Sequence, residues 1–311
     1  MKNYSRHIYL LVVLVLMSLI LAYTDSENSP QKIEKNIFQV SDTSSIHGLT
    51  ILKDELIVDL QKNENGWKLN DSLKVDPSLI KIFLSLISQI EVERPVSRLD
   101  IDEIRNELAN DGASIEVSAQ NSLSFLAGGS KDKSKSYFAT KDLEEIYIVR
   151  VPGYDNYVVG LFELTLNQWR DRQLFNSTWR SIQSLEIKYG QNEIDDFKIE
   201  YAQDFLRVEG ISKMDTSSVM KYISQFENFQ HNDFLDPGQF PRYDSLKMLE
   251  PIATISLKDI NPSKSIALNV YPKIPDERFF LLSDDQNSMI VIDERRMNSL
   301  LARQSDFIEV D

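Results

Sequence analysis

The pattern of apolar and polar positions begins with an apolar run over residues 8–22, which basic residues precede and acidic residues follow. Between Arg6 and Asp25 lie 18 residues, which as a helix would span roughly 27 Å of a hydrocarbon core about 30 Å thick. This pattern predicts a membrane anchor over residues 1–24, with a cleaved signal sequence as the alternative. The charge asymmetry predicts a cytoplasmic amino terminus and an exported remainder.

After a polar tether over residues 25–35, the pattern changes to strands and a helix. Strand-like residues 56–61 and 67–69 flank Asn65 and Gly66, a pair that favours the tight turn of a hairpin. Asp76 then suits a helix cap, and Pro77 suits the first helical position. The apolar face of this helix is expected to consist of residues at i, i+3, i+4 and i+7, namely Ile80, Phe83, Leu84 and Ile87.

The same arrangement recurs 139 residues later along the chain. Strand-like residues 197–201 and 205–208 precede Asp215, which stands where Asp76 stands in the first copy. The corresponding apolar helix positions are Val219, Tyr222, Ile223 and Phe226. Because four apolar positions and a cap match in register, the pattern favours an internal duplication.

A strand-rich segment and a further helix follow each copy of the hairpin and helix. In the first half, the predicted strands are 114–118, 122–126, 137–139 and 146–151, and the helix is 164–174. In the second half they are 253–257, 265–270, 278–282 and 289–292, with a helix over 294–303. Alternating strands, short connections and few helices predict an α+β fold of two duplicated modules, 36–176 and 177–311, built from antiparallel hairpins and meanders with packed helices.

Composition restricts the chemistry of the exported part. The chain has 34 basic and 48 acidic side chains, and the first 24 residues contain two of the basic ones and none of the acids, so the remainder has a net charge of −16. Such a field disfavours nucleic acid as a partner, and the cluster Lys131, Lys133 and Lys135 is expected to be a solvated loop. The chain has no cysteine, which excludes disulfides and thiolate sites.

The residues that carry most catalytic and metal chemistry are sparse. Outside the predicted anchor, His47 and His231 are the histidines, and neither has a second histidine at ligand spacing, so a surface or structural role is expected for each. Gly128, Gly129 and Ser130 lack the spacing of a phosphate-binding loop and are interpreted as a turn. We therefore assign no catalytic, cofactor-binding or metal-binding residue and expect no cofactor.

Acidic pairs leave a hydrolase open as an alternative, since two carboxylates about 5–9.5 Å apart can cleave glycosidic bonds. Helix starts and turns also explain these pairs. The cluster 284–287 could supply oxygen ligands to calcium, but it lacks the glycine and the distal glutamate of a calcium loop. The acids considered are Asp100, Asp102 and Glu103, Glu144 and Glu145, Asp195 and Asp196, and Asp284 and Asp285.

The anchor, a hairpin containing Trp67 before a helix starting at Pro77, and the run Arg-Asp-Arg-Gln-Leu-Phe over residues 170–175 resemble the domain-of-unknown-function family 4340. The resemblance covers most of residues 36–236, although residues 105–110 replace a Tyr-Gly-Leu segment of the family. It implies a bacterial protein behind an amino-terminal membrane helix, often associated with auxiliary components of gliding-motility-type ABC transporters. It supplies no catalytic residues.

Together these observations favour a non-enzymatic accessory or scaffold protein. It is expected to be held at the cell membrane by one helix, with the bulk of the chain in the periplasm and an envelope protein, such as an ABC-type transporter component, as its partner. The alternatives are an envelope hydrolase that uses paired carboxylates and a polysaccharide- or peptide-binding module. The last would use exposed aromatic side chains, for which Trp67, Trp169 and Trp179 are the candidates.

Overall fold

The computed structural model describes Met17 and residues 34–309, apart from residues 65, 155, 156, 191, 192, 203 and 204. The predicted anchor, Met17 aside, and most of the predicted tether lie outside the described residues. Within the described part of the chain, no helix is long and apolar enough to cross a membrane.

The first sheet contains nine strands and is antiparallel in every pairing whose register is described. Its order is β4-β3-β2-β1-β6-β7-β8-β9-β5, where the strands are β1 (Gly48–Lys53), β2 (Leu56–Asn63), β3 (Gly66–Leu69), β4 (Leu73–Lys74), β5 (Glu91–Pro95), β6 (Ala113–Ser118), β7 (Leu123–Gly129), β8 (Ser136–Ala139) and β9 (Ile146–Arg150).

The second half of the chain forms an eight-stranded antiparallel sheet and a two-stranded one. Its strands are β10 (Gln173–Phe175), β11 (Ile182–Tyr189), β12 (Phe197–Ala202), β13 (Phe205–Val208), β14 (Phe229–Gln230), β15 (Asp233–Leu235), β16 (Ala253–Asp259), β17 (Ile266–Val270), β18 (Phe279–Ser283) and β19 (Met289–Asp293). The larger sheet has the order β13-β12-β11-β16-β17-β18-β19-β15, and β10 pairs with β14.

The helices of the described residues are short. The α-helices are α1 (Pro77–Gln89), α2 (Ile101–Asp111), α3 (Leu166–Trp169), α4 (Thr216–Ile223), α5 (Pro241–Leu246) and α6 (Glu294–Leu300). Single 3-10 turns occur at Thr43–Ser45, Val158–Leu161, Glu193–Asp195, Ser224–Phe226, Pro262–Lys264 and Gln304–Phe307. The predicted class, α+β with antiparallel sheets and few helices, is confirmed.

Both predicted hairpin and helix arrangements form as expected. Strands β2 and β3 pair from Leu60 opposite Leu69 to Asn63 opposite Gly66, and Gly66 has the positive φ of 109° that a residue without Cβ adopts readily. Each helix is capped by its predicted acid. The Asp76 Oδ1 atom accepts a hydrogen bond from the backbone N–H of Ser78 at 2.8 Å, and Asp215 Oδ1 accepts one from Ser217 at 2.9 Å.

The predicted helix over residues 164–174 is wrong in its length. A capping box between Thr165 and Gln168 starts α3, but the helix ends after one turn and Arg170 is extended. The reason is a pairing with a distant segment. The Asp171 N–H donates to the Lys74 carbonyl and the Asp76 N–H donates to the Trp169 carbonyl, each at 2.9 Å. These bonds form an antiparallel bridge between Val75 and Arg170, and such backbone pairing outweighs local helix propensity.

The described residues divide into two compact units. The first contains the described residues up to Asp59 together with Lys81–Glu163, and the second contains Leu60–Ile80 together with the residues from Leu164 onward. The predicted modules 36–176 and 177–311 are consecutive in the sequence and stay a prediction. Residues 74–76, which bond to residues 169–171, lie with them in the second unit.

In the first unit, aromatic side chains pack against one face of the sheet. Phe125 and Phe138 are stacked with their ring centroids 4.3 Å apart, and Phe38 and Phe162 pack around them at 5.4–6.0 Å. On the other face, Tyr137 and its neighbours pack with α2. Strand β8 is therefore buried on both faces, which stabilises the sheet through apolar burial.

In the second unit, strands β18 and β19 are also buried on both faces. Leu282 and Ile290 join a large core that includes residues of α4 and α6. The alternate positions Leu281 and Val291 pack with residues of α5. Because side chains of a strand point alternately to its two faces, a continuous apolar run indicates burial of both.

Candidate functional site

A cavity of about 550 Å³ lies within the second unit. It is lined by residues 68 and 72–74, by the segment after α3, and by parts of the loops before β15, β17 and β19. Its size falls in the range of small-molecule sites. The charged residues of the lining are Lys68, Lys74, Arg170, Asp171, Lys264, Asp284 and Asp285.

His231 lines this cavity and is almost completely buried, with 4% of its surface exposed. It lies between β14 and β15, where its backbone N–H donates to the Arg172 carbonyl at 3.0 Å. Its ring packs edge-on against Phe234, with the centroids 4.1 Å apart and the planes at 74°. Neither ring nitrogen has a hydrogen-bond partner among the described residues, which is uncommon for a buried polar group.

The surroundings of His231 favour the neutral imidazole. Burial lowers the pKa of His231 to about 4, and the positive charge of Arg170 adds to the effect, while a nearby backbone group of Asp233 opposes it. At neutral pH the ring therefore carries one N–H donor and one acceptor nitrogen.

Arg170 lines the same cavity, and its guanidinium group is held in place on two sides. The Cζ atom lies 3.4 Å from the centroid of the Phe234 ring, a cation–π contact. The Nη2 atom donates to Ser288 Oγ at 3.0 Å and Nη1 donates to Asn167 Oδ1 at 3.4 Å. Asn167 is fixed in turn, because its Nδ2 donates to Asp236 at 2.7 Å.

The charge of Arg170 is only partly balanced. No carboxylate within the described parts of the chain lies in ion-pair distance of its guanidinium. Burial lowers the pKa of Arg170, and the more distant charges of Asp284 and Asp236 oppose this shift. The result is a half-buried cation with unused N–H groups beside a buried, unpaired imidazole.

Acidic side chains form another part of the wall. Burial raises the pKa of Asp171, which accepts a hydrogen bond from the Gln173 N–H at 3.0 Å. Asp284 accepts hydrogen bonds from the backbone N–H groups of Gln286 at 3.1 Å and Ser288 at 2.8 Å. It therefore stabilises the turn that contains Ser288, the residue whose hydroxyl accepts a bond from Arg170. With His231 neutral, four basic and three acidic lining residues give the cavity a net charge of +1.

A second cavity, of about 150 Å³, lies within the first unit beside α2 and the end of β7. Two of its three acids, Glu107 and Glu163, already have partners. Glu107 pairs with Lys131 at 2.9 Å, and Glu163 pairs with Lys133 at 3.1 Å and accepts a bond from the Tyr157 hydroxyl at 2.6 Å. Because it is smaller and most of its acids are already paired, it is the weaker candidate for a ligand site.

The glycine pair of the first unit is not a turn, contrary to the sequence prediction. Gly128 and Gly129 are the last residues of β7, and the turn begins at Ser130. A Cβ on Gly128 would lie 2.6 Å from a Leu108 methyl carbon, and one on Gly129 would overlap the Tyr157 ring. The glycines therefore allow α2 and Tyr157 to approach the strand closely.

The remaining predicted candidates lie apart from the larger cavity. His47 is exposed, with Nδ1 3.2 Å from the Ser45 carbonyl. Lys131, Lys133 and Lys135 are exposed in the loop after β7, as predicted. Within the described residues, no cluster of three or more histidines and acids could hold a metal ion.

Most of the acidic pairs have local partners. Asp102 pairs with Arg105 at 2.7 Å in the first turn of α2. Asp196 accepts a bond from the Tyr189 N–H at 2.6 Å, and Asp195 lies 3.7 Å from Arg303. Glu145 accepts a bond from the Tyr147 hydroxyl at 3.1 Å. Of the pairs considered, only Asp284 and Asp285 line the larger cavity.

The tryptophans differ in exposure. Trp169 is fully buried, Trp179 is half-buried against the core of the second unit, and Trp67 is half-buried in β3. Burial removes Trp169 as a direct ligand contact.

The sequence does not predict that Arg170 and His231 line one cavity and pack against the same Phe234 ring. In the sequence, Arg170 is one residue of the run over 170–175, and the lone His231 predicts an ordinary surface or structural role. The one sequence signal for this site is that two charged residues, Arg170 and Asp171, directly follow the apolar Trp169.

The fold defines an α+β protein of antiparallel sheets with a polar cavity in one unit. A family model described as "Domain of unknown function (DUF4340)" matches residues 67–248, more than half of the chain, and it includes both Arg170 and His231. The chain belongs to this family. Comparison with the curated proteins and with the solved structures found no match.

The buried His231 predicts a specific dependence of stability on pH. An unfolded histidine has a pKa near 6.5, whereas that of folded His231 is about 4. Between these two pKa values, the His231 ring is protonated in the unfolded chain but not in the folded one. The free energy of unfolding therefore falls as the pH falls. From pH 7 to pH 5 we expect a loss of about 2 kcal/mol in the free energy of unfolding, measured in urea.

The variant His231→Gln should lose this part of the pH dependence, while His47→Gln, which changes an exposed ring, should keep it. An unchanged slope in His231→Gln would contradict the burial of a neutral imidazole.

Proposed function

We propose that the chain is a membrane-anchored, extracytoplasmic accessory or scaffold protein that binds another protein of the cell envelope, such as a component of an ABC-type transporter. The observation that carries the membrane part of the proposal is the apolar run over residues 8–22 between basic and acidic flanks. Such an anchor holds the two units near the bilayer, where membrane proteins are the available partners.

An internal duplication is part of this proposal. The order β3-β2-β1-β6-β7-β8-β9-β5 in the first sheet corresponds strand for strand to β13-β12-β11-β16-β17-β18-β19-β15 in the second. Helices α1 and α4, whose apolar positions match at a spacing of 139 residues, follow the third strand of each series. A repeated sheet offers two related surfaces, which suits a scaffold more than a single reaction centre.

Exposed apolar side chains around α5 support a protein partner. Phe240 precedes this helix and is 46% exposed, and Met248 and Leu249 follow it with exposures of 89% and 51%. Large apolar groups grouped on a surface are typical of protein contact sites. Phe240 and Met248 also lie inside the segment that the family model matches.

The absence of cysteine allows a direct test of the topology. Leu99 is 93% exposed between β5 and α2, so Leu99→Cys should leave the fold intact. In bacterial cells with a permeabilised outer envelope and an intact inner membrane, a membrane-impermeant maleimide should label this variant and not the cysteine-free parent. Labelling that requires lysis of the inner membrane would overturn the proposed orientation.

A second test addresses the partner. In native membranes treated with a crosslinker and extracted in mild detergent, the chain should be recovered with a membrane protein. Met248→Asp should reduce this recovery severalfold because a charge would enter an apolar contact, whereas Leu99→Asp should not. Recovery of the parent chain as a lone species would contradict the accessory role.

A further inference from the structure

We propose that the cavity formed around Arg170 and His231 binds a small ligand through a single carboxylate group, either of a free organic acid or of a chain end. This site goes beyond the proposed accessory function and does not depend on it. A carboxylate would bind to the second unit whether or not the chain is anchored or has a protein partner.

Arg170 supplies the charge and the geometry for a carboxylate. Its guanidinium is planar and lies over the Phe234 ring, while Ser288 and Asn167 hold it from the side. Its other N–H groups have no acceptor among the described residues. A guanidinium fixed in this way can donate two parallel hydrogen bonds to the two oxygens of a carboxylate.

His231 indicates that the cavity is built for a polar ligand. A buried imidazole with two unpaired nitrogens is unfavourable unless something else bonds to it. Because the ring is neutral at pH 7, its N–H can donate to a ligand oxygen and its second nitrogen can accept from a hydroxyl or an amide N–H. The adjacent charge of Arg170 and the neutral donor–acceptor ring therefore favour a carboxylate with a neighbouring polar group.

The charge of the lining favours a monoanion. Four basic and three acidic side chains leave the cavity with a net charge of +1, although the chain as a whole has −14. Asp171 and Asp284 would repel a second negative charge. A phosphate dianion fits this balance less well than a carboxylate.

The test is calorimetric titration of the full chain in mild detergent. Acetate represents a free acid, N-acetyl-trialanine represents a chain end, and acetamide, N-acetyl-trialanine amide and inorganic phosphate are the comparison probes. We expect saturable binding of at least one carboxylate and none of the two amides. Tighter binding of N-acetyl-trialanine than of acetate identifies a chain end, and the reverse identifies a free acid.

Variants then assign the binding to Arg170. Arg170→Gln should weaken carboxylate affinity by about 10-fold or more, as loss of a charged hydrogen bond does. Arg170→Lys should have an intermediate effect because it keeps the charge but not the planar fork. Arg242→Gln is the matched control, since Arg242 is exposed in the same unit and does not line the cavity, and it should bind like the parent.

If Arg170→Gln does not fold, Ser288→Ala provides the same test, since it releases one side of the guanidinium and should also weaken binding. Several results would overturn the proposal: no saturable binding of either carboxylate, equal binding of an acid and its amide, tighter binding of phosphate, or parental affinity in Arg170→Gln.

Discussion

The backbone bridge between residues 74–76 and 169–171 is the constraint on which the candidate site depends. It consists of two hydrogen bonds of 2.9 Å, and it forces the chain to leave α3 after one turn. If α3 continued past Trp169, Arg170 would be part of that helix and would project from its surface. Instead the extended backbone places the guanidinium over Phe234 and beside the buried His231. Both segments of this bridge belong to the second unit.

The cavity combines features that are costly for a folded protein. A half-buried cation lacks a close carboxylate, and neither nitrogen of a neighbouring imidazole has a partner at ordinary hydrogen-bond distance within the described residues. Polar groups in such positions reduce stability unless a ligand or ordered water satisfies them. Apolar burial elsewhere in the unit, on both faces of β18 and β19, offsets this cost. We interpret the cavity as a binding site for this reason.

Local sequence signals predicted the elements that depend on local physics. The hairpin at Gly66 and the caps at Asp76 and Asp215 were predictable because turn and cap preferences act over a few residues. The length of α3 was not, because its end is set by residues almost a hundred positions earlier. The local pattern predicts a turn at Gly128 and Gly129, whereas their role, the close approach of Leu108 and Tyr157, is a tertiary contact that the pattern does not contain. The packing of both Arg170 and His231 against Phe234 is non-local in the same way.

The most direct test of the account is the ¹⁵N NMR spectrum of the His231 ring at pH 7, assigned by its loss in His231→Gln. We expect a neutral ring with one protonated nitrogen, whose resonances shift when a carboxylate fills the cavity. Resonances of a doubly protonated imidazolium at pH 7, or of a neutral ring that no carboxylate shifts, would contradict it.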